Sequence, residues 1–199
     1  RYVHPQDKAM RMVIGDAGNA TLVERGEDQL AIVTGSDGSG ADYLIIPAGG
    51  SRRPRTPETA EASLRPDGNI RSDENIFMDG MQVMRFALTT APQVIEETLA
   101  LAGWAKEAVG YFILHQANKL IVDSIRKKLR VPEAAVPVVL RDTGNTGPSS
   151  IPLALNLLAP ETPAARWRQT ILCGFGIGLS YGAVAANLAQ THFLPMAEL

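Results

Sequence analysis

Val109-Gly110-Tyr111-Phe112-Ile113-Leu114-His115-Gln116-Ala117-Asn118-Lys119-Leu120 decides how the chain is read. Six residues of nearly unbroken apolar character end abruptly in polar ones. A short run rich in aromatic and β-branched residues, bounded by polar residues, is the signature of a strand buried on both faces. Beyond it Leu120, Ile121, Ile125 and Leu129 recur on one side of a helix, with Lys119, Arg126, Lys127, Lys128 and Arg130 mostly on the others, and Pro132 ends it.

The same alternation extends both ways. Upstream, Met81, Met84, Leu88, Ala91, Ile95, Leu99 and Ala102 are spaced 3, 4, 3, 4, 4 and 3 residues apart, one face of a helix. Pro92 is expected to kink or split it, and Gly103 to cap its end. Downstream, Val136–Leu140 reads as a strand, Asp142–Pro148 as a Gly-rich turn and Ser149–Leu158 as a helix with Pro152 in its first turn. Gln169–Cys173 reads as a strand, Gly174–Gly178 as a tight turn and Leu179–Leu188 as the last strand. Strands alternating with helices predict an α/β layer arrangement. Residues 10–47 read as β-rich, with short apolar runs at 12–14, 20–23, 30–34 and 43–46 between Gly, Asn and Asp clusters. Residues 47–79 carry little apolar periodicity. Their prolines and Arg52, Arg53, Arg55 and Arg65 suit a solvated loop, or else a rim for an anionic ligand or carrier.

Composition narrows the function. The 199 residues are 45% hydrophobic and 20% charged, with a net charge of −2. That supports a real core and gives no electrostatic sign of a nucleic-acid or membrane partner. No apolar run approaches the length of a membrane-spanning helix. His4, His115 and His192 lie far apart and Cys173 is the sole cysteine, so no metal site is expected and no internal disulfide can form. A reducing, cytoplasmic setting fits. The chain opens at Arg1 without an initiator Met, and it is expected to be a fragment or a processed product.

Three places could carry chemistry. His115 follows a buried strand, where ligands of open α/β sheets bind, and an imidazole there can donate to an oxyanion or move a proton. By position alone it is equally a histidine that caps the helix or is satisfied in the core. Asn145, in Asp142-Thr143-Gly144-Asn145-Thr146-Gly147, offers two neutral donors; taken alone it reads as a turn asparagine. Gly174-Phe175-Gly176-Ile177-Gly178 is not a dinucleotide fingerprint, because a strand rather than a helix follows it. Cys173, between Leu172 and Gly174, reads as a small buried hydrophobe.

Together these motifs resemble β-ketoacyl-acyl-carrier-protein synthase III, a condensing enzyme. The resemblance rests on His115-Gln116-Ala117-Asn118, Gly144-Asn145-Thr146 thirty residues on, and the 174–178 glycine loop, supported by Met78-Asp79-Gly80 and Gly15-Asp16-Ala17-Gly18-Asn19-Ala20. It implies a thiolase-like α/β fold: the C-terminal βαβαβ half plus the last strands of the N-terminal half. The corresponding division is 1–50 for closing strands of the N-terminal half, 51–79 for a connecting loop region and 80–199 for the C-terminal half.

The implied chemistry is a decarboxylative Claisen condensation of an acyl-CoA with malonyl-acyl-carrier protein, in fatty acid or polyketide biosynthesis. His115 and Asn145 match the family's catalytic histidine and asparagine. Phe175, Gly176, Ile177 and Gly178 match its oxyanion loop, and Lys119, Arg126 and Lys127 are candidates for carrier-protein docking. The family's nucleophilic cysteine lies upstream of everything present, so no nucleophile is expected in this chain, which should not act alone. No metal or resident cofactor is implied; substrates ride on coenzyme A and on the phosphopantetheine of acyl-carrier protein. A homodimer is the implied assembly. Two other readings are a thiolase-fold O- or N-acyltransferase and a non-catalytic partner subunit of a condensing enzyme. The chain departs from the family at Leu120, where Arg is common, at Gly147-Pro148, where small residues are usual, and in the order of Gly15-Asp16-Ala17-Gly18.

Overall fold

A computed structural model describes residues 2–197; Arg1, Glu198 and Leu199 lie outside them. The core is one four-stranded mixed sheet. Its members are β1 (Ala31–Ser36), here followed by two short strands, β2 (Leu44–Ile45) and β3 (Phe77–Met78), that pair only with each other. After helix α1 (Gly80–Ala102) come β4 (Tyr111–Leu114), helices α2 (Lys119–Leu129) and α3 (Ser150–Leu158), then β5 (Thr170–Gly176) and β6 (Ser180–Ala186). The order across the main sheet is β1-β6-β5-β4.

β4 and β5 are parallel, with Leu114 opposite Cys173. β5 and β6 form an antiparallel hairpin in which Gly176 faces Ser180. β1, the stretch expected to close an N-terminal half, lies at the far edge of this same sheet and runs antiparallel to β6, Ala31 opposite Ala185. The side chains of β4 alternate between two cores, as pleating requires. Phe112 and Leu114 join Ile171, Cys173, Ala183 and Ala185 beneath α1 and α2. Tyr111 and Ile113 join Ala154 of α3 and Trp167 on the opposite face. The molecule is thus helix, sheet, helix.

α1 is one continuous helix, so Pro92 does not split it as one of the two expectations had it. Asp79 caps its start by accepting from the backbone of Met81 and Gln82, and Gly103 ends it in the left-handed region at φ 67°. Pro92 has no N–H to give the Leu88 carbonyl one turn earlier. Lys128 of α2 supplies the missing donor, its Nζ lying 3.0 Å from that oxygen. The helix survives because a neighbouring helix satisfies the carbonyl that proline strands.

Two other expectations change. Val136–Leu140 forms no strand ladder. It is held instead by Gln116, which is 1% exposed. The Gln116 Oε1 accepts from the Val139 N–H at 3.0 Å, and its Nε2 donates to the Leu114 and Pro137 carbonyls at 2.8 and 3.4 Å. A side-chain amide replaces the ladder. The Ala20–Val23 run is likewise not a strand: Leu22 and Val23 are 85% and 83% exposed, and a strand needs a partner that the described residues do not offer.

The segment just before that run is fixed by distant contacts. Asn145 N–H donates to the Val13 carbonyl at 2.8 Å, and Gly15 N–H returns a bond to the Asn145 carbonyl at 2.9 Å. The backbones come so close that a Cβ at Gly15 would overlap the Thr143 carbonyl oxygen. Asn19 Nδ2 donates to Ser149 Oγ at 2.8 Å, and that hydroxyl donates to the Ala17 carbonyl at 3.0 Å. Within 47–79 four arginines form ion pairs: Arg53 and Arg65 with Asp73 at 2.6 and 2.7 Å, Arg55 with Glu74 at 3.3 Å, and Arg71 with Asp67 at 2.8 Å and with Asp7, outside the segment, at 3.6 Å.

The Pro92–Lys128 arrangement is testable by thermal unfolding of the intact protein. Lys128→Met should lower stability by about 1 kcal/mol, the net worth of one hydrogen bond. Combined with Pro92→Ala, which restores the helix's own N–H, the same substitution should cost less.

Candidate active site

The parallel pairing that ends β4 also places His115. Its N–H donates to the Cys173 carbonyl at 2.8 Å, carrying the ladder one step past the strand. The ring then leaves the sheet beside β5, edge-on to Phe175 with centroids 5.4 Å apart. Its Nδ1 lies 2.7 Å from the Ser150 hydroxyl at the start of α3. Ser150 is 2% exposed, and its oxygen also accepts the Gln116 N–H at 3.3 Å.

Asn145 approaches from the loop before α3. Its Oδ1 accepts the Gly147 N–H at 2.9 Å, which fixes the amide so that its NH2 is the donor end. Gly144 makes the approach with φ 64°, where a side chain would be strained.

Both side chains open into one cavity of about 460 Å³. Phe175, Gly176 and Ile177 line it from the β5–β6 end, and Met10, Val13, Ile14, Leu44, Ile76 and Met78 line it from segments far away in sequence. Gly178, expected in the same loop, is not part of the lining; it makes the turn with φ 142°. The expected docking residues lie on α2. Lys119 is exposed and pairs with Asp123 at 2.5 Å, Lys127 is exposed, and Arg126 is half-buried with its Nε in no hydrogen bond among the described residues.

The electrostatics favour neutral donors. Burial pulls the His115 imidazole down to about 4, against an opposing backbone contact from Gly147, so the ring is uncharged near pH 7. Burial pushes the Cys173 thiol up to about 12. Cys173 is fully buried under α1 and α2, so it is a core residue and cannot serve as a thiolate nucleophile here. Among the described residues no group of three or more His, Cys, Asp or Glu could hold a metal ion, and no helix is long and apolar enough to cross a membrane.

Ser150 and the six apolar residues on the far wall escaped the sequence reading. The serine's only local signal was its place one turn into the segment after Gly144-Asn145-Thr146. The wall residues gave none, because they come from three stretches remote in sequence, residues 10–14, Leu44 and residues 76–78.

Residues 99–188 match the family model of the 3-oxoacyl-[acyl-carrier-protein] synthase III C-terminal region. The chain is 35% identical over 189 residues to β-ketoacyl-[acyl-carrier-protein] synthase III of Gloeobacter violaceus, a match covering 94% of this chain and 55% of that one. This chain matches the C-terminal portion of a synthase III. The Chlamydia caviae synthase III is 33% identical, with 95% and 55% covered. A solved 3-oxoacyl-(acyl-carrier-protein) synthase III superposes with a TM-score of 0.82 at 37% identity, over 94% of this chain and 56% of that one. The priming β-ketosynthase of the R1128 polyketide pathway superposes at 0.56 with 30% identity, over 78% and 44%. The chain spans about half the length of the curated relatives it matches. The expected thiolase-like α/β fold is that of the synthase III structures it resembles.

The depressed His115 pKa has a measurable consequence. An unfolded histidine titrates near 6.5, whereas the folded ring takes a proton only near 4. Between those values the unfolded chain binds the extra proton, so this contribution to stability is present above about pH 6.5 and lost as pH falls toward 4. Denaturant unfolding of His115→Gln across pH 4–7 should show a shallower loss than the parent protein.

Proposed function

We propose that the chain is the C-terminal half of a condensing enzyme of the synthase III type, and that His115 and Asn145 hold the carbonyl oxygen of a malonyl thioester. The observation that carries this reading is the convergence of the uncharged His115 ring and the Asn145 side-chain amide on one largely apolar cavity. When the malonyl carboxylate leaves as CO2, the electron pair of the broken C–C bond passes into the thioester as an enolate. Its negative charge gathers on the carbonyl oxygen. Donors already aimed at that oxygen, in a site poor in competing water, stabilise the charge with little reorganisation. A neutral imidazole suits the step, since it offers a hydrogen bond without bringing a fixed charge into the cavity.

The enolate carbon then attacks an acyl thioester and expels a thiolate. That acyl group would sit on a cysteine outside the present chain, because Cys173 is protonated and enclosed. Phe175, Gly176 and Ile177 would border the acyl carbonyl, with Gly178 shaping the turn behind them. The apolar wall of Met10, Val13, Leu44, Ile76 and Met78 suits the uncharged stem of a pantetheine arm. The exposed Lys119 and Lys127, with Arg126 beside them, form a basic face on α2 complementary to an acidic carrier protein. Acyl-CoA and acyl-carrier protein are the proposed substrates, with no metal or resident cofactor. A cytoplasmic homodimer is the proposed state.

Release of CO2 from malonyl-carrier protein by the intact protein tests the assignment. His115→Ala and Asn145→Ala should each slow it by about 10²–10³-fold, the range for loss of one oxyanion donor. A wild-type rate in either variant would remove that residue from the mechanism.

A further inference from the structure

We propose that Ser150 is a positioning residue: its hydroxyl donates to His115 Nδ1 and thereby holds the imidazole as the tautomer protonated at Nε2. The inference deepens the reading of His115 as an oxyanion donor and rests on it for its catalytic meaning. Its structural content stands separately. The Ser150 hydroxyl has two described hydrogen-bond partners. One is the backbone N–H of Gln116 at 3.3 Å, which can only donate, so the serine oxygen must accept from it. The other is His115 Nδ1 at 2.7 Å.

Ser150 is 2% exposed, and among its described hydrogen-bond partners only His115 Nδ1 can accept its proton. A buried hydroxyl proton left without an acceptor is costly. Nδ1 is the acceptor within reach, and it can accept only if it is unprotonated. In the neutral ring the proton then resides on Nε2, the nitrogen on the far side of the imidazole from α3. The relay runs in one direction, from the Gln116 N–H to Ser150 Oγ, and from the Ser150 O–H to His115 Nδ1. The same Gln116 anchors residues 137–139 through its side chain. One residue thus ties the orientation of the histidine to the packing of the sheet edge.

The consequence is specific. With Nε2 protonated, the ring presents a donor on the side away from Ser150. With the proton on Nδ1 it would present a lone pair there and repel an enolate oxygen.

The test uses the intact protein labelled with 15N-histidine, the His115 signals being identified by their loss in His115→Gln. Two-bond 1H–15N correlation spectra at pH 7 report which ring nitrogen carries the proton. Wild type should show the Nε2–H pattern; an Nδ1–H pattern in wild type overturns the proposal without recourse to any variant. Ser150→Ala should move the ring toward a mixture of tautomers and lower kcat for malonyl decarboxylation by about tenfold, on the scale of one lost hydrogen bond. The KM for the malonyl thioester should stay within about twofold. Ser150→Thr, which keeps the hydroxyl, should restore both the spectrum and kcat. An unchanged tautomer and kcat in Ser150→Ala would overturn the proposal. If the tautomer responds as expected while the wild-type protein releases no CO2 from malonyl thioesters, the positioning role stands and the condensing assignment falls.

Discussion

The parallel pairing of β4 with β5 is the constraint from which the rest follows. Two parallel strands cannot be joined by a short turn. The chain between them must leave the sheet and return, and here it does so through α2, the 136–140 segment and α3. That detour covers both faces of the sheet. It also brings the Asn145 loop and the start of α3 to the carboxyl end of β4, where His115 emerges. Because the ladder continues one bond past β4, from His115 N–H to the Cys173 carbonyl, the direction of the imidazole is set by the sheet itself rather than by a mobile loop.

On this frame the site is built from polar groups that are each already used once. Asn145 offers its NH2 because Gly147 occupies its oxygen. His115 is turned by Ser150 on one side and braced by the Phe175 ring on another. Gln116 stabilises the neighbouring edge, which no strand among the described residues covers. Such networks favour one arrangement only when every member is satisfied, and the cost of an unpaired buried group makes the alternatives unfavourable. The cavity keeps its histidine neutral by the same burial that shapes it.

The elements governed by local periodicity were legible. The spacing of Leu88, Ala91, Ile95 and Leu99 marks α1, the compact run from Tyr111 to Leu114 marks β4, and Gly103 marks the end of a helix at the position where the backbone turns left-handed. By position alone His115 read equally as a capping or core histidine and Asn145 as a turn asparagine; it was the resemblance that paired them, and the structure brings both to the same cavity. What stayed hidden depends on partners remote in sequence. Val136–Leu140 has the composition of a strand, yet a glutamine side chain takes the place of the ladder. Pro92 reads as a helix breaker until Lys128 is seen to satisfy the carbonyl it strands. Ala20–Val23 has the residues of a strand and, among the described residues, no neighbour to pair with.

The proposed pairing of His115 and Asn145 on a single thioester oxygen is what would join this fold to a condensation. A crystal structure of the intact protein with a malonyl thioester analogue that cannot lose its carboxylate tests it most directly. One thioester carbonyl oxygen should lie within hydrogen-bond distance of both His115 Nε2 and Asn145 Nδ2. An analogue bound in the cavity with that oxygen touching neither nitrogen would contradict the assignment.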